Sequence, residues 1–173
     1  MAIRDLLLPE FDQEMANTRK MLEQLPDGRF DFQPHPKSWK VTHLAGHLAD
    51  LPNWVTHTMN VEVLELVPGQ YKPFEPANRK ELLDQFDKYV SEAHAEIAKA
   101  SDEELNKNLS MKWDGKIVMT MPRVTVLRSM VMNHLIHHRA QLGVYLRLMD
   151  VAVPGMYGPS ADEAPFGIEE KAA

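Results

Sequence analysis

Cysteine is absent from this chain of 173 residues. Its absence excludes disulfide bonds, thiolate nucleophiles and sulfur ligands, so any metal site must use nitrogen and oxygen donors. The sequence also lacks a run of eighteen apolar residues, which excludes an ordinary membrane-spanning helix. The N-terminus has only a brief apolar patch, interrupted by Asp5 and followed by Pro9, and does not match a secretory signal peptide. We therefore expect a cytoplasmic protein with no membrane partner.

A strongly basic surface is lacking as well. The net charge is −6, and the clusters Arg19-Lys20 and Arg79-Lys80 are single pairs beside acidic residues. Because nucleic-acid binding needs a basic face, we expect no nucleic-acid partner. The length and the 44% hydrophobic content suit one core. We expect a single domain over residues 1–173, in which residues from about 151 onward form a C-terminal tail with a loose end.

Four segments carry apolar residues at helical spacing. Their predicted bounds are Ile3 to Leu25, Lys40 to Asn60, Asn78 to Ala100, and Pro122 to Met149. Pro52 should kink the second helix, and Pro122 suits the first position of the fourth. Asn78, followed by Glu81, is a good N-cap for the third. A capped short turn of helix is expected at residues 101–104.

Only the stretch from Leu109 to Thr120 alternates apolar and polar residues, and Asp114-Gly115 at its centre favours a two-residue hairpin turn. The connections are long, which permits a crossover instead of simple up-down order. The sequence therefore predicts an all-α fold: a four-helix bundle with long connections and a small β-hairpin before the last helix, as the only β-structure.

Three histidines lie on predicted apolar stripes. His134 and His138 are four residues apart on the fourth helix, and His47 shares a stripe of the second helix with Leu44 and Leu51. Buried imidazoles need partners for their nitrogens, and an i, i+4 pair can place two nitrogens on one metal ion. If the two helices pack together, three imidazoles converge and one coordination position stays open. The patterns alone also allow partly exposed histidines or a bundle with metal-free core histidines.

Other polar residues near these stripes have weaker patterns. His43 and His137 are interpreted as helix-terminus or surface groups, although either could join the site as a further ligand. His137 should point away from its neighbour His138, because one residue turns a helix by about 100°. Asp50 could orient an imidazole, and it suits an exposed surface equally well. No role is expected for the remaining histidines, which are His35, His57 and His94.

Three stretches resemble the DinB/YfiT-like metalloenzyme family. The motif His137-His138-Arg139-Ala140-Gln141 resembles the family's last-helix signature, usually written HHRGQ. The stretch from Ser38 to Asp50 and the stretch from Pro154 to Ser160 resemble two further family segments, so the resemblance extends over about residues 5–160. Ala140 replaces the usual glycine and should thicken the helix where another element packs. His43 occupies a position where a carboxylate often follows a helix cap.

The resemblance implies a bundle that holds a divalent metal, Zn²⁺ or Ni²⁺, through His47, His134 and His138. It also implies a small-molecule substrate and a homodimer. Family members include hydrolases and S-transferases that use a low-molecular-weight thiol such as bacillithiol or mycothiol, so the expected reaction is activation of water or of a thiol. No general base is identified.

The competing hypothesis is a non-catalytic, metal-binding stress-response bundle, in which the histidines only tie two helices together. Structural zinc sites usually have four protein ligands, so a fourth ligand from His43 or His137 would favour this hypothesis. An accessible cavity facing the metal would favour the enzyme.

Overall fold

The computed structural model describes residues 1–165, so the expectation of a loose C-terminal end concerns residues that lie partly outside the described range. The helices are α1 (Ile3–Leu22), α2 (Val41–Asp50), α3 (Asn53–Asn60), α4 (Arg79–Lys99) and α5 (Asp102–Asn106), and a 3₁₀ turn covers Asp27–Arg29. The strands are β1 (Val63–Leu66), β2 (Asn108–Trp113) and β3 (Lys116–Pro122). The last helix consists of α6 (Arg123–Val126), a π-helical segment (Leu127–Asn133) and α7 (His134–Leu148), which follow one another without a gap. Within residues 1–165, no helix is long and apolar enough to cross a membrane.

Four helical rods surround one apolar core. α1 packs against α4 and α7, and α2 packs against the same two helices. The rods that follow each other in sequence, α1 and α2, therefore occupy opposite corners, which requires a crossover connection. The core is built mainly from leucine, methionine and phenylalanine, with Phe11, Leu48, Phe86 and Leu142 at most 1% exposed.

The helix boundaries follow local capping chemistry. Asn78 accepts a hydrogen bond from the Glu81 backbone N–H at 2.9 Å, which confirms the predicted N-cap of α4. The second rod is interrupted at Pro52, as expected, because proline has no N–H for the helical ladder. α1 ends at Leu22, three residues before the predicted end, ahead of the turn that leads to Pro26. Pro122 caps α6 in an extended conformation instead of being its first helical residue.

The three strands form one sheet in the order β1-β2-β3. β2 and β3 are antiparallel and are joined at Asp114 and Gly115, whose φ values of 49° and 76° suit a tight two-residue turn. β1 pairs with β2 in parallel, from Val63 opposite Ser110 to Leu66 opposite Trp113. The expectation that a hairpin is the only β-structure is therefore wrong. β1 has only four residues and pairs with a distant segment, so its local sequence carries little signal.

The π-helical segment ends immediately before His134. π-Turns are rare, and they occur frequently at functional sites because they re-aim the side chains that follow. Here the segment adjusts the face that the last helix presents to α2. The side chains of His134 and His138 emerge from the first turns of α7, beside His47 on α2.

Candidate metal centre

Three imidazoles meet between α2 and α7. One ring nitrogen from each of His47, His134 and His138 lies within 4.8 Å of the other two. The Nε2 atoms of His47 and His134 are 3.4 Å apart, and those of His134 and His138 are 2.8 Å apart. Two nitrogens bound to one tetrahedral ion at ~2.1 Å would lie about 3.4 Å apart. The His47–His134 separation matches this value, whereas the His134–His138 separation is shorter than a shared ion requires, so these two rings would move slightly apart to bind one.

Neighbouring groups determine which nitrogens carry protons. His138 donates Nδ1–H to Gln141 Oε1 at 2.7 Å, which leaves its Nε2 as an acceptor facing the other rings. A hydrogen bond with the Met130 backbone raises the pKa of His134, in opposition to the effect of burial. Two imidazole nitrogens 2.8 Å apart need a proton or a metal cation between them, because their lone pairs repel each other. The donor set of this cluster is consequently one that a divalent metal would satisfy.

All three imidazoles are poised in the neutral form that metal ligation requires. Burial, together with the nearby rings of His138 and His134, lowers the pKa of His47 to about 4. Burial also lowers the pKa of His134 and of His138, against the opposing hydrogen bonds described above. At neutral pH the cluster therefore presents lone pairs and no positive charge.

Trp39 covers one side of the cluster from the segment before α2. Its ring stacks on His138 with a centroid separation of 5.2 Å and an interplanar angle of 23°. It also contacts His43 at 4.4 Å and His47 at 5.5 Å between centroids. This residue belongs to the quoted Ser38-to-Asp50 stretch, but it lies outside any helix. Periodicity could not assign it a role.

The other five histidines lie outside the cluster of three rings. His43 lies against Trp39, close to the cluster but not among its three converging rings. His137 is exposed, its Nε2 accepts a hydrogen bond from the Gln141 amide, and it is not among the three converging rings. His35, His57 and His94 are also exposed and lie outside the cluster.

Asp50 does not orient an imidazole. Its carboxylate accepts a hydrogen bond from the Tyr71 hydroxyl at 3.0 Å, and this pair fastens the loop after β1 to the end of α2. The interpretation of Asp50 as an orienting group for the histidines is therefore replaced by a role in loop attachment. Gln141, not Asp50, is the side chain that orients a ring.

Two small residues of the quoted motifs differ in importance. A Cβ on Gly46 would overlap the Phe74 carbonyl oxygen, so only glycine allows the segment after β1 to lie against α2 next to His47. Ala140, in contrast, is exposed, and the expectation that it thickens the helix against a packed element is wrong.

A cleft of about 530 Å³ opens beside His47. It is bounded by α3, by the end of β1 and the loop that follows it, and by Trp113 at the end of β2. Its volume lies within the range of small-molecule sites. The parallel pairing of β1 with β2, which the sequence did not reveal, forms much of its wall.

Comparison with known proteins places the chain in a family. A profile of the DinB family matches residues 2–171. The chain belongs to the DinB family. It is 26% identical over 168 residues to the uncharacterized protein YrdA of Bacillus subtilis, covering 95% of each chain. It resembles a DinB-like protein from Bacillus cereus with a TM-score of 0.66 and 27% identity, covering 87% of this chain and 95% of that one.

YfiT from Bacillus subtilis has the same fold. Its structure matches with a TM-score of 0.66 at 18% identity, over 86% of this chain and 89% of YfiT. YfiT is described as a probable metal-dependent hydrolase with an unusual four-helix bundle topology. At this identity the likeness concerns the fold alone, and the crossover arrangement of α1 and α2 agrees with it.

In this DinB-family chain, the arginine of the last-helix motif is structural. Arg139 is 2% exposed and donates to Glu14 Oε2 at 2.7 Å, to the Glu14 backbone oxygen at 3.0 Å and to Thr18 Oγ1 at 3.2 Å. Tyr157 donates its hydroxyl to the same carboxylate at 2.7 Å. Through Glu14, Arg139 connects α7 to α1, and Tyr157 connects the C-terminal segment to both. The partners are too distant in sequence for a local pattern to reveal them.

Proposed function

We propose that this DinB-family chain binds one divalent metal ion through His47, His134 and His138 and uses it to hydrolyse a small-molecule substrate. The observation that carries the proposal is the convergence of three neutral imidazoles beside an accessible cleft. Three protein ligands with an open position are typical of catalytic metal sites. Imidazole donors suit Zn²⁺ and Ni²⁺, which are the metals we favour.

A bound divalent cation would supply a polarised water, whose pKa falls to about 7, as a nucleophile near neutral pH. The residues of the chain set up the surroundings. Gln141 keeps the Nε2 lone pair of His138 directed inward, while the ring of Trp39 limits access of solvent to one side. The cleft beside His47 leaves the other side open to substrate.

Transfer of a low-molecular-weight thiol is the second candidate. The ligand set contains no sulfur and carries no charge, so a bound divalent cation would keep its full affinity for an external thiolate. The two reactions share the metal site and differ in the nucleophile. Activity assays, and not the geometry of the site, therefore distinguish hydrolysis from thiol transfer.

The cleft and the ligand count support an enzyme over a non-catalytic bundle. Structural zinc sites are usually closed by four protein ligands. Neither His43 nor His137 belongs to the converging set, so neither supplies a fourth ligand here. A structural site also has no need of a cavity that reaches one of its ligands. The homodimer, the single-domain organisation and the cytoplasmic location stay predictions.

The first test is elemental analysis of the purified protein, with one metal per chain expected. His47→Ala should weaken metal affinity by more than about 100-fold, since even changes to outer partners of metal ligands cost 10–100-fold. His137→Ala removes an exposed histidine from α7, the helix that carries His134 and His138, and should leave the stoichiometry unchanged. Loss of metal in the His137 variant alone would contradict the assignment.

The second test is a screen of ester and amide hydrolysis and of thiol transfer, each with and without a chelator. We expect a metal-dependent activity that His47→Ala abolishes while circular dichroism shows the helices intact, because the core is apolar. Unfolding of both the chelated protein and the His47 variant, with no activity in either screen, would favour the structural bundle.

A further inference from the structure

The cleft beside His47 has aromatic walls. Trp54, Tyr71 and Trp113 line it, and Tyr71 and Trp113 are 53% and 52% exposed. Large rings that face solvent in this way lose the stabilisation that burial would provide, and grouped exposed apolar surface marks binding sites. Leu66 and Val67 extend the apolar surface between them. A ligand that covers these rings would recover that stabilisation.

The charges around the cleft restrict what it can hold. No lysine or arginine is among its lining residues, so in the metal-free chain an anionic group would lose its hydration without gaining a cationic side chain as partner. The single carboxylate, from Glu65, already accepts a hydrogen bond from the Gly115 backbone N–H at 2.8 Å. Glu65 therefore acts to hold the hairpin turn, and the other polar side chains of the lining, among them Gln70, are neutral.

The aromatic walls are held in place before any ligand arrives. Leu66 lies opposite Trp113 in the parallel pairing, and the Leu66 carbonyl accepts a hydrogen bond from the Asp114 N–H at 3.1 Å. The Tyr71 hydroxyl is fastened to Asp50 on the helix that carries His47. A cleft with fixed walls spends little binding energy on ordering side chains.

We infer that this cleft binds an uncharged, flat aromatic molecule, stacked on Trp113 and Tyr71 with one edge directed toward His47. As the substrate class of the proposed metal enzyme, this inference rests on that function, although binding to the cleft can be measured without metal. It selects neutral aromatic esters, amides or electrophiles over carboxylates, phosphates and sulfonates of similar size.

The experiment compares two fluorescent probes that share one aromatic framework. N-phenyl-1-naphthylamine is neutral, and 8-anilinonaphthalene-1-sulfonate adds a sulfonate to it. In titrations of the full chain freed of metal by a chelator, the dissociation constant of the neutral probe should be at least tenfold lower than that of the sulfonate. Trp113→Ala should weaken the neutral probe about tenfold, which corresponds to the loss of one stacking partner. Ile117→Ala removes an apolar side chain of the same hairpin that is 63% exposed and lies outside the cleft, and should change nothing.

A second variant tests the charge argument directly. Gln70→Arg places a cation in the exposed loop of the cleft and should tighten the sulfonate probe relative to the neutral one. Equal or tighter binding of the sulfonate by the unaltered chain would overturn the inference, and so would equal losses from Trp113→Ala and Ile117→Ala. A naphthylmethylammonium probe that binds more tightly than the neutral one would also overturn it.

The two proposals can fail separately. Each titration is repeated on chelated and on metal-loaded protein, beside the metal stoichiometry. Binding of the neutral probe to a chain that takes up no metal would uphold the aromatic cleft and refute the metal enzyme. One metal per chain without selective binding of the neutral probe would refute the aromatic cleft alone.

Discussion

Removal of the buried guanidinium of Arg139 should destabilise the fold strongly. Arg139 and Glu14 are 2% and 6% exposed, and their closest approach is 2.7 Å. Breaking such a pair leaves an uncompensated buried charge and costs ~3–5 kcal/mol. Since domains have total stabilities of ~5–15 kcal/mol, Arg139→Met should lose a large part of the stability of this one. Metal affinity should stay near its original value in the fraction that remains folded.

The assay is urea denaturation of chelated protein, followed by circular dichroism. A double-mutant cycle completes it: Glu14→Leu with Arg139→Met removes both charges and should recover much of the single-variant loss, because two apolar groups need no partner. Tyr157→Phe removes the hydrogen bond that the hydroxyl donates to Glu14 and the one that it accepts from Arg139, and should cost ~1–3 kcal/mol, because the Arg139–Glu14 pair stays in place. Burial raises the pKa of the Tyr157 hydroxyl, so it stays a donor over the whole assay range.

Two results would refute this reasoning. One is a loss below ~1 kcal/mol for Arg139→Met, which would mean that water reaches the carboxylate when the arginine is gone. The other is a double variant as unstable as Arg139→Met alone, which would assign the loss to packing and not to charge. A selective loss of metal with normal stability would instead place Arg139 in the function of the metal centre.

The remaining predictions concern three separate positions. Gly46→Ala should cost ~1–3 kcal/mol in urea denaturation because its Cβ would overlap a backbone carbonyl, whereas Gly28→Ala, with open space around it, should cost little. Asp162 in the C-terminal segment accepts hydrogen bonds from Arg147 at the end of α7, and this pairing lowers the pKa of Asp162 to about 2. The attachment of the segment to α7 is therefore fully present above pH ~4 and is lost as the pH falls toward 2. Hydrogen exchange should detect this release, and Asp162→Asn should cause it at neutral pH. Gln141→Leu removes the acceptor for His138 Nδ1 and should weaken metal affinity about 10–100-fold, measured by competition with a chelator.

Local sequence patterns predicted the helices and the core-facing stripes that carry the histidines, whereas the set of three ligands was implied by the family resemblance. The stripes that contain His47 and His138 follow the 3.6-residue period, and this period depends only on neighbouring residues. The same rotation predicted that His137 points away. Asn78 and Pro52 have capping and breaking chemistry that acts within a few residues, so their effects were also predictable.

Features that join distant segments escaped prediction. The pairing of β1 with β2, the attachment of Asp50 to Tyr71 and the burial of Arg139 on Glu14 each depend on which segments the bundle brings together. Their local sequences are compatible with exposed positions as well, because charged residues are mostly found at the surface. The π-helical segment is another example, since the sequence before His134 reads as an ordinary helix.

The candidate metal centre and the cleft beside it are formed by different parts of the fold. The histidines are fixed by two helices and by the core between them, so their arrangement depends on the part of the fold that local patterns encode well. The cleft is formed by β1, the loop after it and Trp113, which lie outside the bundle core. Substitutions in these outer segments can change which small molecule the cleft binds without moving the three imidazoles. Substrate preference within this fold should therefore follow the sequence of residues 63–71 more closely than the sequence of the last helix.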